Sequence, residues 1–263
     1  MNQSEKRAHF ARLHQPGDPL VLFNIWDSGS ARAVAKGGAA ALATGSASVA
    51  GALGYEDGQD LPLDLALENA RRIAASVDVP LTLDFEGGYA VEPSDLAANV
   101  ARVVDTGAVG VNFEDQVIGG EGLYDTAQQS RRIAAVRSGA ADALWINART
   151  DIFLKSKPDT HSPAMVEEAL ARADAYARAG GDSLFVPGMR DLDLIRSICD
   201  RAPMPVNILL YPNSMTRADL AQCGVARISH GPFPWVAAMA ALTVSSREAL
   251  AWRATPPRTK SRP

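Results

Sequence analysis

Short, almost uninterrupted apolar runs alternate with longer amphipathic stretches along the chain, and the alternation repeats eight times in 263 residues. The apolar runs fall at residues 21–25, 41–44, 81–85, 110–113, 144–148, 183–186, 206–210 and 226–229. Runs without polar interruption belong to strands covered on both faces, which is the situation in a parallel sheet. The stretches between them predict helices over 63–76, 93–106, 126–138, 163–179 and 192–201, with a polar helix over 4–14 before the first strand and a last one over 234–253. The phrases AKGGAAALAT, DTGAVGVNF, RAGGDSLFV and AQCGVARIS share one design, a helix end, a glycine and then a strand. Gly37, Gly107, Gly180 and Gly224 stand where a helix C-cap needs the left-handed conformation. Eight repeats favour a closed (β/α)8 barrel over an open sheet. The expectation is one domain over 1–253, of the usual barrel size, and a disordered tail over 254–263, ATPPRTKSRP.

Charge narrows the partners. With 26 basic and 30 acidic residues the net charge is −4, without the basic footprint that nucleic acid or an anionic membrane requires. A small molecule is the expected partner. The N-terminus has no apolar core fit for a signal peptide, and no run reaches about 18 apolar residues. A cytoplasmic location is therefore expected. Cys199 and Cys223 fit a reduced compartment and a role in helix packing.

In a (β/α)8 barrel chemistry sits at the C-terminal ends of the strands. Here those ends carry Asp27, then Thr44, Gly45 and Ser46, then Asp84 and Glu86, Glu114 and Asp115, Arg149 and Asp151, Tyr211, and His230. A single acid in such a place usually caps a helix or pairs in a loop, and Asp27 and Asp115 are read that way. Asp84 and Glu86, two apart on a segment read as extended, would point to one side, and Glu114 on the next strand could meet them. Three converging carboxylates need a counter-charge. A hard divalent cation held by oxygen supplies it, Mg2+ first and Mn2+ as the alternative. Arg149 could neutralise the cluster or clamp a substrate carboxylate, roles that are compatible. Gly45–Ser48 is either a plain turn or a nest of N–H groups for an anion. Tyr211 and His230 are each either structural or proton donors. His9, His14 and His161 lie on polar segments and read as solvated. Dinucleotide and P-loop fingerprints are absent, and no lysine closes a strand, which excludes the usual nucleotide sites and a Schiff-base aldolase.

The segments NIWDSGSARAVAKGGAAALATGSASVAGALGYEDG, LTLDFEGGYA, GAVGVNFEDQ, INARTDIFL and RADAYARAGGDSLFVPG resemble, in order, those of the isocitrate lyase and phosphoenolpyruvate mutase superfamily. The resemblance implies a Mg2+-dependent barrel enzyme, dimeric or tetrameric, whose last helix is exchanged between subunits. It matches Asp84 to the acid nearest the metal, and Glu86, Glu114 and Asp57 to its water-mediated partners. It matches Gly45–Ala47, beside Thr44, to the loop that binds the substrate carboxylate, with Arg149 assisting. The implied chemistry is stabilisation of a pyruvate-type enolate from a small 2-oxo or 2-hydroxy dicarboxylate. Two departures stand out. The loop EDQVIGGEGLYDTAQQ lacks the KKCGH-like motif whose cysteine is the acid of the lyases, and it lacks the Lys, Thr and Asn of the phosphonate enzymes between Glu114 and Tyr124. Decarboxylation of an oxaloacetate-like acid needs no acid on its leaving group and is the reading preferred. Tyr211 and His230 resemble residues of a decarboxylase member. The alternatives are a methylisocitrate- or dimethylmalate-type lyase with Tyr124 or another group as acid, a P–C enzyme acting on phosphonopyruvate, and a non-enzymatic carboxylate-binding barrel.

Overall fold

The computed structural model describes residues 1–251; the expected domain end at 253 and the tail over 254–263 lie outside the described residues. Eight parallel strands are present: β1 (Leu20–Leu22), β2 (Leu42–Ala43), β3 (Leu81–Asp84), β4 (Gly110–Glu114), β5 (Trp145–Arg149), β6 (Ser183–Phe185), β7 (Val206–Leu209) and β8 (Arg227–Ser229). Their order is β1-β8-β7-β6-β5-β4-β3-β2. The remaining seam is closed by a parallel bridge between Ile25 and Thr44. There Ile25 N–H donates to the Ala43 carbonyl at 2.8 Å, and Asn24 Nδ2 to the Thr44 carbonyl at 2.8 Å. The fold is a (β/α)8 barrel; seven strands lie within one residue of their expected bounds, and β1 ends three residues short of its expected end at 25.

The helices around it are α2 (Ser28–Lys36), α3 (Ser46–Leu53), α4 (Leu63–Ala75), α5 (Pro93–Val104), α6 (Thr126–Ala140), α7 (Pro163–Arg178), α8 (Leu192–Arg201), α9 (Arg217–Gln222) and α10 (Phe233–Ala251). Asp27 caps α2 in a reciprocal pair with Ser30, as expected. Gly107, Gly180 and Gly224 take the left-handed conformation, but Gly37 does not: its φ is −70°, and the turn falls one residue later on Gly38, at φ 95°. The described helices include none long and apolar enough to cross a membrane.

Helix α1 (Gln3–Arg12) closes the N-terminal end of the barrel, where Phe10 packs with Leu20, Leu22, Ala41, Val109 and Trp145. This corrects the reading of His14. Its ring is buried and stacked on Trp145 with centroids 4.4 Å apart, and its Nδ1 lies 2.9 Å from the Phe10 carbonyl. Burial, with Arg227 and Arg7 nearby, lowers its pKa to about 3, so the ring is neutral and donates from Nδ1. Polar neighbours in sequence misled, because a helix folded beneath the barrel buries one face whatever lies on the other. His161 is only partly buried, against Phe153.

The strands are not apolar on both faces. Leu83, Val111, Phe113, Ile146 and Ile228 join the core under the helices, while the alternate positions carry Asn112, Asn147, Ser183, Asn207, Arg227 and Ser229, all buried. Alternation along a strand sends the second set to the barrel interior. Contacts that skip a strand confirm it: Arg227 of β8 reaches Asn112 of β4, and Asn147 of β5 reaches Asn207 of β7.

Candidate active site

Each acid of the cluster is placed by a different local device. Asp84 ends β3, and its N–H donates to Thr44 Oγ1 at 2.9 Å. Its Oδ2 accepts the Ser46 N–H at 3.1 Å, whereas its buried Oδ1 has no partner among the described residues. Glu86 does not lie on an extended segment: β3 has ended, and the chain turns with φ of 50° at Glu86, 81° at Gly88 and 57° at Tyr89. Left-handed backbone at Glu86 and Tyr89 is strain of the kind that collects at functional sites. Glu86 Oε2 accepts the Gln59 N–H at 2.9 Å, and Tyr89 Oη donates to Oε1 at 3.4 Å. Burial, and then the charges of Asp84 and Asp57, raise the Glu86 pKa to about 7. A crevice of about 30 Å3, walled mainly by apolar side chains such as Val49, Leu61 and Leu67, runs past Ser46, Asp84, Glu86 and Tyr89.

Glu114 ends β4 and is fully desolvated. Arg149, at the end of β5, bridges it to Asp151: Nη1 is 2.7 Å from Glu114 Oε2, while Nε and Nη2 donate to the two Asp151 oxygens at 2.6 and 2.8 Å. Burial pushes Glu114 upward, whereas Arg149 is held more firmly protonated by the two acids. Short contacts to a guanidinium that keeps its proton are those of an ionised pair. Asp115 is a buried ion pair, as expected, with Arg172 Nη1 at 3.1 Å. Asp57 stands exposed in the GYED turn. Desolvation raises its pKa against the pull of the Ser46 hydroxyl. No three His, Cys, Asp or Glu side chains among the described residues stand close enough to hold one ion jointly. Asp84 lines the cavity, whereas Glu86 and Glu114 are not among its lining groups.

The cavity, about 300 Å3, opens at the C-terminal end of the barrel. Asp57, Asp84, Asn112, Arg149 and Tyr211 line it along with Ser46 and Ala47, and Leu154, Phe185, Pro187 and Phe233 form an apolar wall. Gly45–Ser48 is the start of α3 and not a free loop. Gly45 N–H donates to the Ile25 carbonyl and Ser46 N–H to Asp84. Ala47, in the first turn, keeps an N–H with no intrahelical acceptor. Arg190 lies over the Tyr211 ring, 3.9 Å from its centroid. The His230 ring packs on Phe23 at 5.2 Å and is not among the lining groups. Tyr124 is not among them either; the Arg132 guanidinium lies 4.2 Å from its ring centre.

Two asparagines escaped the strand-end reading. Asn24 knits the mouth together, its Oδ1 accepting the N–H groups of His230 and Gly231 at 2.9 and 2.8 Å. Asn112 sits opposite Asp84 in register and lines the cavity. The sequence did carry a signal: polar residues two positions before Glu114 and before Arg149 share their faces.

Residues 10–250 match the family model for phosphoenolpyruvate phosphomutase. The chain belongs to that family, within the PEP mutase/isocitrate lyase superfamily of enzymes, and its named relatives include carbon–carbon lyases. It is 45% identical to a Burkholderia cenocepacia protein provisionally named a phosphonomutase, whose crystal structure superposes with a TM-score of 0.92 over 94% of this chain and 100% of that one. An uncharacterised Mycobacterium tuberculosis protein is 36% identical over 90% of this chain and 87% of its own. The 2-methylisocitrate lyase of Salmonella typhimurium is 27% identical over 74% and 70%, and an oxaloacetate decarboxylase of Pseudomonas entomophila 26% identical over 89% and 81%.

Proposed function

We propose that this enzyme breaks a carbon–carbon bond in a small 2-oxo or 2-hydroxy dicarboxylate, with Mg2+ or Mn2+ as cofactor and an oxaloacetate-like acid as the leading substrate. One observation carries the reading: Asp84, which lines the cavity, has a buried carboxylate oxygen with no partner among the described residues, and Asn112, Arg149 and Tyr211 bring donors to the same cavity. A buried charge without a partner is costly. A hard cation fits an all-oxygen set, with Asp84 as direct ligand and Glu86, Glu114 and Asp57 acting through water. When bound, the ion would draw off negative charge as an enolate develops. The chain's own part is positioning. Ala47 N–H at the start of α3 meets the substrate carboxylate, helped by the helix dipole. Arg149, anchored on Glu114 and Asp151, brings positive charge without freedom to move. The apolar wall excludes water that would protonate the wrong atom. Tyr211, which faces the cavity, is the favoured proton donor over His230, whose ring does not.

The 45% identical neighbour favours a second reading, in which the bond broken joins phosphorus to carbon. Assays of the purified protein with Mg2+ against oxaloacetate, methylisocitrate, dimethylmalate and phosphonopyruvate separate the two. Turnover of oxaloacetate or an analogue above the others is expected; phosphonopyruvate as the best substrate would replace the first reading by the second.

Assembly belongs to the same proposal. Helix α10 carries Val236, Leu242, Val244 and Leu250 at 52–85% exposure, more apolar surface than a helix leaves to water without cause. Only its start packs at home, where Trp235 lies against Gly51 of α3. We expect it to be exchanged in a dimer or tetramer. A chain ending at Phe233 should run as a monomer on sizing chromatography, and an unchanged oligomer would rule the exchange out.

A further inference from the structure

A row of side chains inside the barrel has a direction, and that direction reaches the cavity. Trp145 Nε1–H can only donate, and it donates to Ser183 Oγ at 2.7 Å. The Ser183 hydroxyl must then give its own proton to Asn147 Oδ1, 2.7 Å away. This fixes the Asn147 amide, an assignment that is otherwise ambiguous. Both Asn147 Nδ2 hydrogens are used, one toward Asn112 Oδ1 at 2.8 Å and one toward Asn207 Oδ1 at 3.0 Å. Arg227 Nη2, also a donor only, reaches the same Asn112 Oδ1 at 2.9 Å. An amide oxygen has two lone pairs, and both are now taken. Asn112 therefore cannot turn its oxygen outward without setting its own N–H groups against two donors, one of them a buried cation.

We propose that Asn112 is a substrate-binding residue whose locked Nδ2–H2 group donates to an oxygen of the bound 2-oxo acid anion. Three observations converge. Asn112 lines the cavity and pairs in register with Asp84 on the adjacent strand, so a ligand held at Asp84 lies within its reach. Its Nδ2 has no partner among the described residues and is not sealed from the cavity. With its oxygen doubly occupied it cannot serve as a metal ligand, so the free side of the amide is left for an acceptor on the substrate. Arg227 and Asn147 are positioning residues that act through it. The row also selects for an acceptor, since a ligand lacking an oxygen at this place leaves the Asn112 donor unpaired.

The inference rests on the proposed enolate-forming site, and oxalate, a planar dianion shaped like the pyruvate enolate, probes both. Oxalate affinity is measured calorimetrically in saturating Mg2+, and Mg2+ affinity separately without oxalate. Asn112→Asp keeps both internal acceptor bonds and removes the donor; oxalate should bind about 100-fold more weakly while Mg2+ affinity does not fall. Ser183→Ala is neutral and remote from the cavity. By releasing the Asn147 amide it should weaken oxalate about tenfold with Mg2+ affinity unchanged. Oxalate affinity within threefold of the parent in both variants overturns the proposal. A loss confined to Asn112→Asp overturns the locked donor too, because added negative charge alone then accounts for it. A crystal structure of the unaltered protein with Mg2+ and oxalate decides independently of variant folding: Asn112 Nδ2 belongs within hydrogen-bond distance of an oxalate oxygen, and its Oδ1 on the metal would refute the idea. If the parent protein binds no oxalate with Mg2+ present, the proposed function falls and this inference falls with it.

Discussion

Asp84→Ala should lower kcat/KM by roughly 10³-fold or more, because the effect combines loss of the metal's direct ligand with loss of charge stabilisation in a desolvated site. Stability should move little. The side chain accepts one hydrogen bond, from Ser46 N–H, and its other oxygen has no partner, so about 1 kcal/mol is lost in one place. Against that, removing one carboxylate from beside Glu86 and Glu114 relieves repulsion that both acids feel. The measurement pairs a rate assay on the best substrate of the panel with a thermal melt and a Mg2+ titration. Full activity in Asp84→Ala would remove the assigned site altogether. A folded protein that no longer binds Mg2+ and no longer turns over is the expected result. Asp84→Asn refines it: the Ser46 contact survives while the charge does not, so the two variants should be equally inactive if charge is what the site needs.

The barrel was readable because its repeats are local. Several helices end near a glycine, each strand is a short, largely apolar run, and eight copies of that unit leave little choice of architecture. What sits inside the barrel was not readable in the same way. Strands 110–113 and 144–148 looked apolar throughout because Asn112 and Asn147 are single polar residues among valine, isoleucine and phenylalanine. Only the cross-barrel contacts reveal that they build a connected interior. The side-to-side alternation of a strand stops at Asp84, so it does not govern Glu86, whose carboxylate is held in the turn that follows by Gln59 and Tyr89. His230 shows a different limit of reading strand ends. It does close β8, but its backbone is drawn inward by Asn24 while its ring goes to Phe23. A strand end fixes where a residue is, and the neighbours decide where its side chain points.

Asp115→Ala should cost about 3–5 kcal/mol, the range for removing one partner of a buried ion pair, and should lower Tm by roughly 10 °C in a chain of this length. Asp115 is completely buried and gathers three donors: Asp151 N–H at 2.9 Å, Arg172 Nη1 at 3.1 Å and Tyr176 Oη at 2.8 Å. Alanine would take an acceptor from all three, and the Arg172 charge is the expensive one, for it would keep the Tyr124 carbonyl, the Tyr176 oxygen and, as its remaining acid, only the exposed Glu168 at 3.4 Å. Asp115→Asn retains an acceptor for Asp151 N–H and should lose less than half as much. The consequence extends to the site. Asp115 fixes the backbone of Asp151, Asp151 holds Arg149 by two short bonds, and Arg149 holds Glu114. A loosened Asp151 therefore frees the guanidinium that the proposed substrate carboxylate meets, and the surviving folded fraction should show a raised KM with a smaller change in kcat. Denaturant unfolding of both variants beside steady-state kinetics tests the chain of supports. Asp115→Ala within about 1 kcal/mol of the parent would show that water replaces the carboxylate and that the pair is not what holds β4 to α7.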